Sequence, residues 1–146
     1  MTEQVYTLLL TGVFPAPPET GGLLGGGNSV VDCVAFDSAQ PCTNSYQYRP
    51  DVAALNRVLQ QWAQQGIAFC GMFHTHPDKP GYERLSGADI DYIRAVMQCA
   101  AIDGRTLYFP IVMPQAKIVP YAARLADGNL CIEKTELLII AKEAKP

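Results

Sequence analysis

The sequence has few basic residues and no paired cysteines, and each shortage excludes a class of function. Lys and Arg number 11 against 14 Asp and Glu, which gives a formal net charge of −3. Because nucleic acids and acidic membranes are bound through clustered Lys and Arg, we expect neither partner. The five cysteines are scattered and never spaced as C-x-x-C, so neither a disulfide scaffold nor a Cys-rich zinc site is expected.

Long apolar runs are also missing. No stretch approaches the roughly 20 apolar residues that a membrane-spanning helix needs. The N-terminal apolar stretch follows Glu3 and has no positive charge ahead of it, which is the reverse of a signal peptide. We therefore expect no membrane association and a cytoplasmic location, in keeping with reduced thiols.

What is present indicates one folded unit. A chain of 146 residues has the length of a single domain, about 100–150 residues, so we predict one domain over residues 1–146. Hydrophobic residues make up 49 % and charged residues 17 %, a balance that forms a core and is not typical of disorder.

Two helices are predicted from periodicity. Apolar residues recur at helical spacing after Asp51, and Gly66 is well placed to end that helix. A second helix is expected to begin near Ser86 and to carry Ile90, Ile93, Val96 and Met97 on one face. Residues 5–14 are compatible with either a strand or a short buried helix, because the pattern does not decide.

The remaining apolar runs predict strands. They lie at residues 22–26, 29–36, 67–76, 106–113, 116–125 and 129–133. The tail 135–146 is expected to form a last strand or a short helix. This order predicts an α+β fold with a mixed central sheet flanked by helices.

The two histidines of the chain stand two residues apart, in His74-Thr75-His76-Pro77. Side chains at i and i+2 of a strand point to the same face, so both rings can converge on one ion. Asp89, in Ser86-Gly87-Ala88-Asp89, offers a third ligand from the start of the second helix. Two histidines and one carboxylate suit catalytic zinc, but the same set also fits non-haem iron.

Each motif alone has a structural interpretation without metal. A His-x-His pair on a strand is more often a surface or core feature than a ligand pair. Ser-x-x-Asp at a helix start resembles a capping box, in which Ser86 accepts a backbone N–H and Asp89 favours the positive end of the helix dipole. The metal interpretation depends on the two motifs occurring together.

The order HTHP, a loop of nine residues counted from Pro77, and SGAD resembles the JAMM (JAB/MPN) metalloprotease signature. The family has an upstream glutamate in a segment resembling Pro-x-Glu-x-Gly-Gly-x-Leu-x-Gly, and PPETGGLLGG at 17–26 places Glu19 there. The resemblance spans roughly residues 15–125 and is closest to prokaryotic JAB-domain members. It implies the JAB/MPN, cytidine-deaminase-like fold.

The resemblance also implies roles for individual residues. His74, His76 and Asp89 would hold one Zn²⁺ per chain. Glu19 would take a proton from the activated water and pass it to the leaving amine, and Ser86 would help to hold the developing oxyanion. The implied substrate is the C-terminus of a ubiquitin-like or sulfur-carrier-like protein, with an E1-like enzyme nearby in function.

Three departures and two other functions remain at this stage. The loop before Ser86 is about two residues longer than in common eukaryotic members, the N-terminus leaves little room for a helix before the glutamate, and ubiquitin-gripping insertions are not obvious.

A non-catalytic MPN-type scaffold is the main alternative function, although such members have usually lost one or more metal ligands. A DNA-associated role is disfavoured by the acidic balance. The glycines at 21–27 suggest an edge along which a Gly-Gly substrate tail adds as a strand.

Overall fold

A computed structural model describes residues 1–12, 20–27, 29–37, 48–99 and 104–141. Its helices are α1 (Glu3–Gly12), α2 (Val52–Gln64) and α3 (Gly87–Cys99). Its strands are β1 (Gly21–Gly27), β2 (Val30–Phe36), β3 (Ala68–Thr75), β4 (Thr106–Tyr108), β5 (Ile111–Met113), β6 (Lys117–Val119), β7 (Tyr121–Ala126) and β8 (Asn129–Lys134). No helix within these ranges is both long and apolar enough to cross a membrane.

The eight strands form one mixed sheet. Its main path runs β2-β1-β3-β4-β7-β8, and β5 pairs with β3 and β6 beside this path. β3 runs parallel to β4 and β5, whereas the other pairs are antiparallel. The predicted α+β fold with a mixed central sheet is confirmed.

Prolines divide two of the predicted strands. The runs 106–113 and 116–125 each become two short strands, separated at 109–110 and at Pro120. Proline has no N–H to donate to a neighbouring strand and fixes its own φ, so it interrupts the ladder. The pieces still follow one course, because Tyr108 of β4 pairs with Gly71 and Ile111 of β5 pairs with His74.

The glycine-rich strand β1 lies inside the sheet. It pairs with β2 on one side and with β3 on the other. The expectation that a substrate adds to an edge along β1 is therefore wrong, because both of its edges already bind strands. The glycines instead allow close packing: a Cβ at Gly22 would collide with the Ala35 carbonyl and crowd the Phe73 ring.

Helices cover both faces of the sheet. Successive residues of a strand point to opposite faces. Accordingly Leu23 packs in a cluster with Trp62 of α2 and Ile93 of α3, whereas Leu24 packs in a second cluster with Leu9 of α1. Met72 of β3 belongs to the first cluster, so His74, two residues further on, faces the side of α2 and α3.

Both predicted helices form, and α1 is a third. The ambiguous segment 5–14 is helical as far as Gly12, where the described residues pause, and a helix does fit before residue 19, because Val5 and Leu9 bury one face of α1 against the sheet. α2 begins where expected, since the Asp51 carboxylate accepts the Ala54 N–H at 3.0 Å, and Gly66 follows it with φ +73°. In the described part of the tail, the only pairing is a bridge from Ile140 to Thr2, so the expected strand or helix does not form there.

Candidate metal centre

The two histidines lie at the C-terminal end of the central strand β3. Both are buried, with 6 % of His74 and 5 % of His76 exposed. The backbone is held on the β5 side, where His74 donates to the Pro110 carbonyl at 3.4 Å and His76 donates to Val112 at 3.0 Å. Since β3 has strands on both sides here, the positions of the two rings are set by the sheet.

Asp89 meets both rings from the first turn of α3. Its Oδ1 lies 3.2 Å from His74 Nε2, its Oδ2 lies 3.4 Å from His76 Nε2, and the two Nε2 atoms are 2.8 Å apart. Adjacent ligands around tetrahedral zinc, each about 2.0–2.1 Å from the ion, stand about 3.3 Å apart. The two distances from a ring nitrogen to Asp89, each to a different carboxylate oxygen, are close to that figure, and the ring nitrogens need to part by about 0.5 Å to reach it.

A backbone carbonyl sets the tautomer of His76. His76 Nδ1 lies 2.6 Å from the Tyr82 carbonyl oxygen. Because a carbonyl only accepts, Nδ1 carries the proton and the lone pair of the neutral ring is on Nε2, the atom that faces Asp89. The next carbonyl, that of Glu83, accepts the Tyr121 hydroxyl at 3.0 Å, so the loop 77–85 is held at two consecutive residues.

The capping and ligand interpretations of Ser86-x-x-Asp89 are compatible with each other. Ser86 N–H donates to Asp89 Oδ2 at 2.6 Å, and Asp89 N–H donates to Ser86 Oγ at 3.1 Å, which is a reciprocal cap on α3. Burial alone would raise the pKa of Asp89, but hydrogen bonding to His74 and His76, the charge of His74 and the Ser86 N–H lower it well below its usual value. The carboxylate is therefore ionised and available to a cation.

The predicted general base lies outside the described residues, which resume at Thr20 after a gap over 13–19. The position of Glu19 relative to the rings therefore stays a prediction. Thr20 itself is bound to the histidine segment, because Thr75 N–H donates to the Thr20 carbonyl at 2.8 Å.

Comparison with known families identifies the chain. The family model described as prokaryotic homologs of the JAB domain matches residues 8–118, which include the histidines and Asp89. This chain belongs to that family. A search of curated proteins found no match.

Two solved structures share the JAB-domain fold of this chain. A protein from Desulfitobacterium hafniense is 22 % identical, with a TM-score of 0.60, and the match covers 98 % of this chain and 92 % of that one. A protein from Salinibacter ruber is 22 % identical, with a TM-score of 0.53, and the match covers 99 % and 94 %. At these identities the likeness supports the fold alone.

Two tyrosines that sequence reasoning missed pack against residues next to the histidines of this JAB domain. The ring of Tyr48 covers Gly21, where a Cβ would come within 2.7 Å of the ring, and Gly21 pairs with His74 across the sheet. Tyr92 packs edge-on against Tyr48 and donates to Met72 Sδ at 2.5 Å. Tyr92 follows Asp89 by three residues, which places both on one side of α3 and could have indicated Tyr92 from the sequence. Nothing in the sequence indicated Tyr48.

The Tyr48 hydroxyl stays protonated and neutral. Its hydroxyl donates to Asp37 Oδ2 at 2.7 Å, and the same oxygen accepts the Asp51 N–H at 2.9 Å. Burial and the bond to Asp37 raise the pKa of Tyr48 well above its usual value. Burial likewise raises the pKa of Tyr92, so neither hydroxyl supplies an anion near neutral pH.

Within the described ranges, His74, His76 and Asp89 are the one group of three potential ligand residues whose donor atoms all lie within 4.8 Å of each other. The set comprises two imidazoles and an ionised carboxylate, ligands that zinc accepts in catalytic sites. The same atoms fit ferrous iron, so the geometry supports a divalent metal without choosing between the two.

Proposed function

We propose that this JAB-domain protein is a zinc-dependent peptidase or isopeptidase. Its substrate would be the amide bond at the C-terminus of a ubiquitin-like or sulfur-carrier-like protein. The observation that carries the proposal is the convergence of His74, His76 and Asp89 from two separate elements, with donor atoms at separations suited to one ion. Zinc held there supplies Lewis acidity, which acidifies water and polarises a carbonyl.

The residues of the chain have distinct parts in this reaction. Glu19 accepts the proton of the attacking water and returns it to the leaving nitrogen, a type of catalysis worth ~10²–10⁴ in rate. Ser86 donates its hydroxyl proton to the carbonyl oxygen as negative charge develops, while its Oγ keeps accepting the Asp89 N–H. The hydrogen bond from His76 Nδ1 to the Tyr82 carbonyl fixes the ring so that Nε2 faces the metal position.

The substrate class rests on the resemblance to prokaryotic JAB-domain members. The location of the site adds one constraint, because β3 is paired on both sides as far as Thr75. A peptide therefore reaches the rings over the face that carries Tyr48 and Asp89, not by pairing with β1 or β3. An E1-like enzyme that prepares the same C-terminus is the expected functional neighbour.

The test compares wild type with Glu19→Gln and Asp89→Asn. Each purified protein is loaded with zinc, its metal content is measured by mass spectrometry, and it is incubated with a ubiquitin-like protein whose Gly-Gly terminus is fused to a reporter. We expect Glu19→Gln to keep the metal and to cleave ~10²–10⁴ more slowly, since only the proton transfer is lost. Asp89→Asn should lose both metal and cleavage.

Two results would count against the proposal. Equal cleavage by wild type and Glu19→Gln would remove the role given to Glu19. A wild type that binds zinc but cleaves neither linear nor isopeptide-linked fusions would favour the non-catalytic scaffold.

A further inference from the structure

We propose that Tyr121 is a positioning residue for the candidate metal centre, because its hydroxyl fixes the loop segment 82–86 that orients both His76 and Asp89. Tyr121 acts through the main chain of this segment. The inference rests on the metal-binding part of the proposed function, and every residue involved lies in the described ranges.

The segment 82–86 carries one orienting contact for each of two candidate ligands. The Tyr82 carbonyl accepts His76 Nδ1–H at 2.6 Å, which leaves Nε2 of that ring for the ion. At the other end of the segment, the Ser86 N–H donates to Asp89 Oδ2 at 2.6 Å. Partners that hold a ligand without touching the metal typically contribute about 10–100-fold to metal affinity. The affinity of the site therefore depends on where this segment lies.

Tyr121 binds the segment between those two contacts. Its hydroxyl donates to the Glu83 carbonyl at 3.0 Å. Two successive peptide planes are joined only by the two soft dihedrals of the residue between them. Because the carbonyls of Tyr82 and Glu83 are both bound, the backbone of Glu83 keeps little freedom, and the Tyr82 carbonyl stays directed at His76.

The sheet holds Tyr121 in place. Tyr121 is the first residue of β7, and its carbonyl accepts the Phe109 N–H at 2.8 Å. It packs against the buried cluster that includes Ile111 of β5, and Leu85, at the end of the loop, packs against the same cluster. The side chains at 78–82 are exposed, so burial does little to fix that part of the loop. The Tyr121 hydroxyl therefore transmits the position of the sheet to the loop.

The first arm of the test measures the orienting contacts in metal-free protein. NMR follows the exchange with water of the His76 Nδ1 proton and of the Ser86 amide in wild type, Tyr121→Phe and Tyr108→Phe. We expect both protons to exchange about 2–10-fold faster in Tyr121→Phe, which loses one hydrogen bond and keeps the ring. Tyr108→Phe is the matched control, because it removes the same group from a tyrosine that packs with the Leu24 cluster on the α1 side. A Tyr121 that only filled space would leave both protons unchanged.

The second arm measures zinc affinity by competition with a chelator. Tyr121→Phe should bind zinc about 3–10-fold more weakly, below most of the range for direct partners of a ligand, because Tyr121 acts through the main chain between them. Tyr108→Phe should bind zinc as wild type does. Cleavage of the ubiquitin-like fusion by wild type is measured in parallel.

The outcomes separate the two proposals. If wild type binds zinc and cleaves, while Tyr121→Phe matches Tyr108→Phe in proton exchange and zinc affinity, the positioning role is wrong and the proposed function stands. Weaker zinc binding without faster exchange would also overturn the positioning role, since Tyr121 would then act other than through the segment 82–86. If wild type binds zinc but cleaves nothing, and Tyr121→Phe shows both expected changes, the peptidase function fails and the positioning role stands. A wild type that binds neither zinc nor ferrous iron would overturn both.

Discussion

The Asp89 carboxylate accepts the Ser86 N–H at 2.6 Å and lies 3.2 Å from His74 Nε2. The same bond that caps α3 therefore fixes the rotation of a candidate metal ligand. A cap and a ligand need the same thing from position 89, an ionised oxygen in the first helical turn. The Ser86 hydroxyl is shared in a similar way, because its oxygen caps the helix while its proton is proposed to serve the reaction.

Substitution of Ser86 can separate its two roles. Ser86→Ala should lower the free energy of unfolding by about 0.5–2 kcal/mol through loss of the cap, and should slow cleavage by roughly 10²–10³ through loss of the donor. Ser86→Asp should restore stability, since aspartate is an equally good N-cap, but not cleavage, since its carboxylate cannot donate. Urea denaturation and kcat measure the two effects. Wild-type kcat in Ser86→Ala would leave Ser86 with the cap alone.

Sequence reasoning identified side chains whose chemistry is specific and missed partners whose chemistry is common to every residue. His74, His76 and Asp89 were predicted from their spacing together with the resemblance to the JAMM signature, and the structure brings their donor atoms together. The acceptor that orients His76 is the Tyr82 carbonyl, a group that any residue at that position would offer. Such contacts have no composition signal and depend on how the loop folds.

At the level of elements, the sequence predicted what repeats and failed where packing decides. α2 was predicted from apolar periodicity and from Gly66 at its end, both local features, and the structure adds the Asp51 cap. The segment of α1 was ambiguous because its apolar residues suit either element, and its helical state depends on burying Leu9 against Val31 and Phe73. The interior location of β1 was missed for the same reason, since strand order is a long-range property.

The glycines of β1 provide a prediction at this scale. Gly22→Ala should lower the free energy of unfolding by about 1–3 kcal/mol or more, because its Cβ would collide with the Ala35 carbonyl of the paired strand. Gly27→Ala in the same strand is the matched control, since nothing lies within 4 Å of the added carbon, and should change stability by no more than about 0.5 kcal/mol. Urea denaturation checks both, and equal effects would show that β1 tolerates side chains at Gly22.

For the whole molecule, one sheet joins the described strands and brings the two candidate metal elements together. The histidines lie at the C-terminal end of β3, while Asp89 lies in the first turn of α3, after the loop 77–85. That loop is bound by His76 at the Tyr82 carbonyl and by Tyr121 of β7 at the Glu83 carbonyl. An ion held by both elements therefore links the central strand, the loop and the helix, and the effect should extend beyond the site.

This linkage predicts that zinc stabilises the folded chain. A ligand that binds only the folded state at 100 times its Kd adds about 2.7 kcal/mol to the free energy of unfolding, which corresponds to a rise in Tm of roughly 5–10 °C for a domain of this size. A thermal scan with zinc and then with EDTA should show the rise and its reversal. Asp89→Asn should show little of it, because one element of the clamp is lost. An equal rise in wild type and Asp89→Asn would place the ion elsewhere and not between β3 and α3.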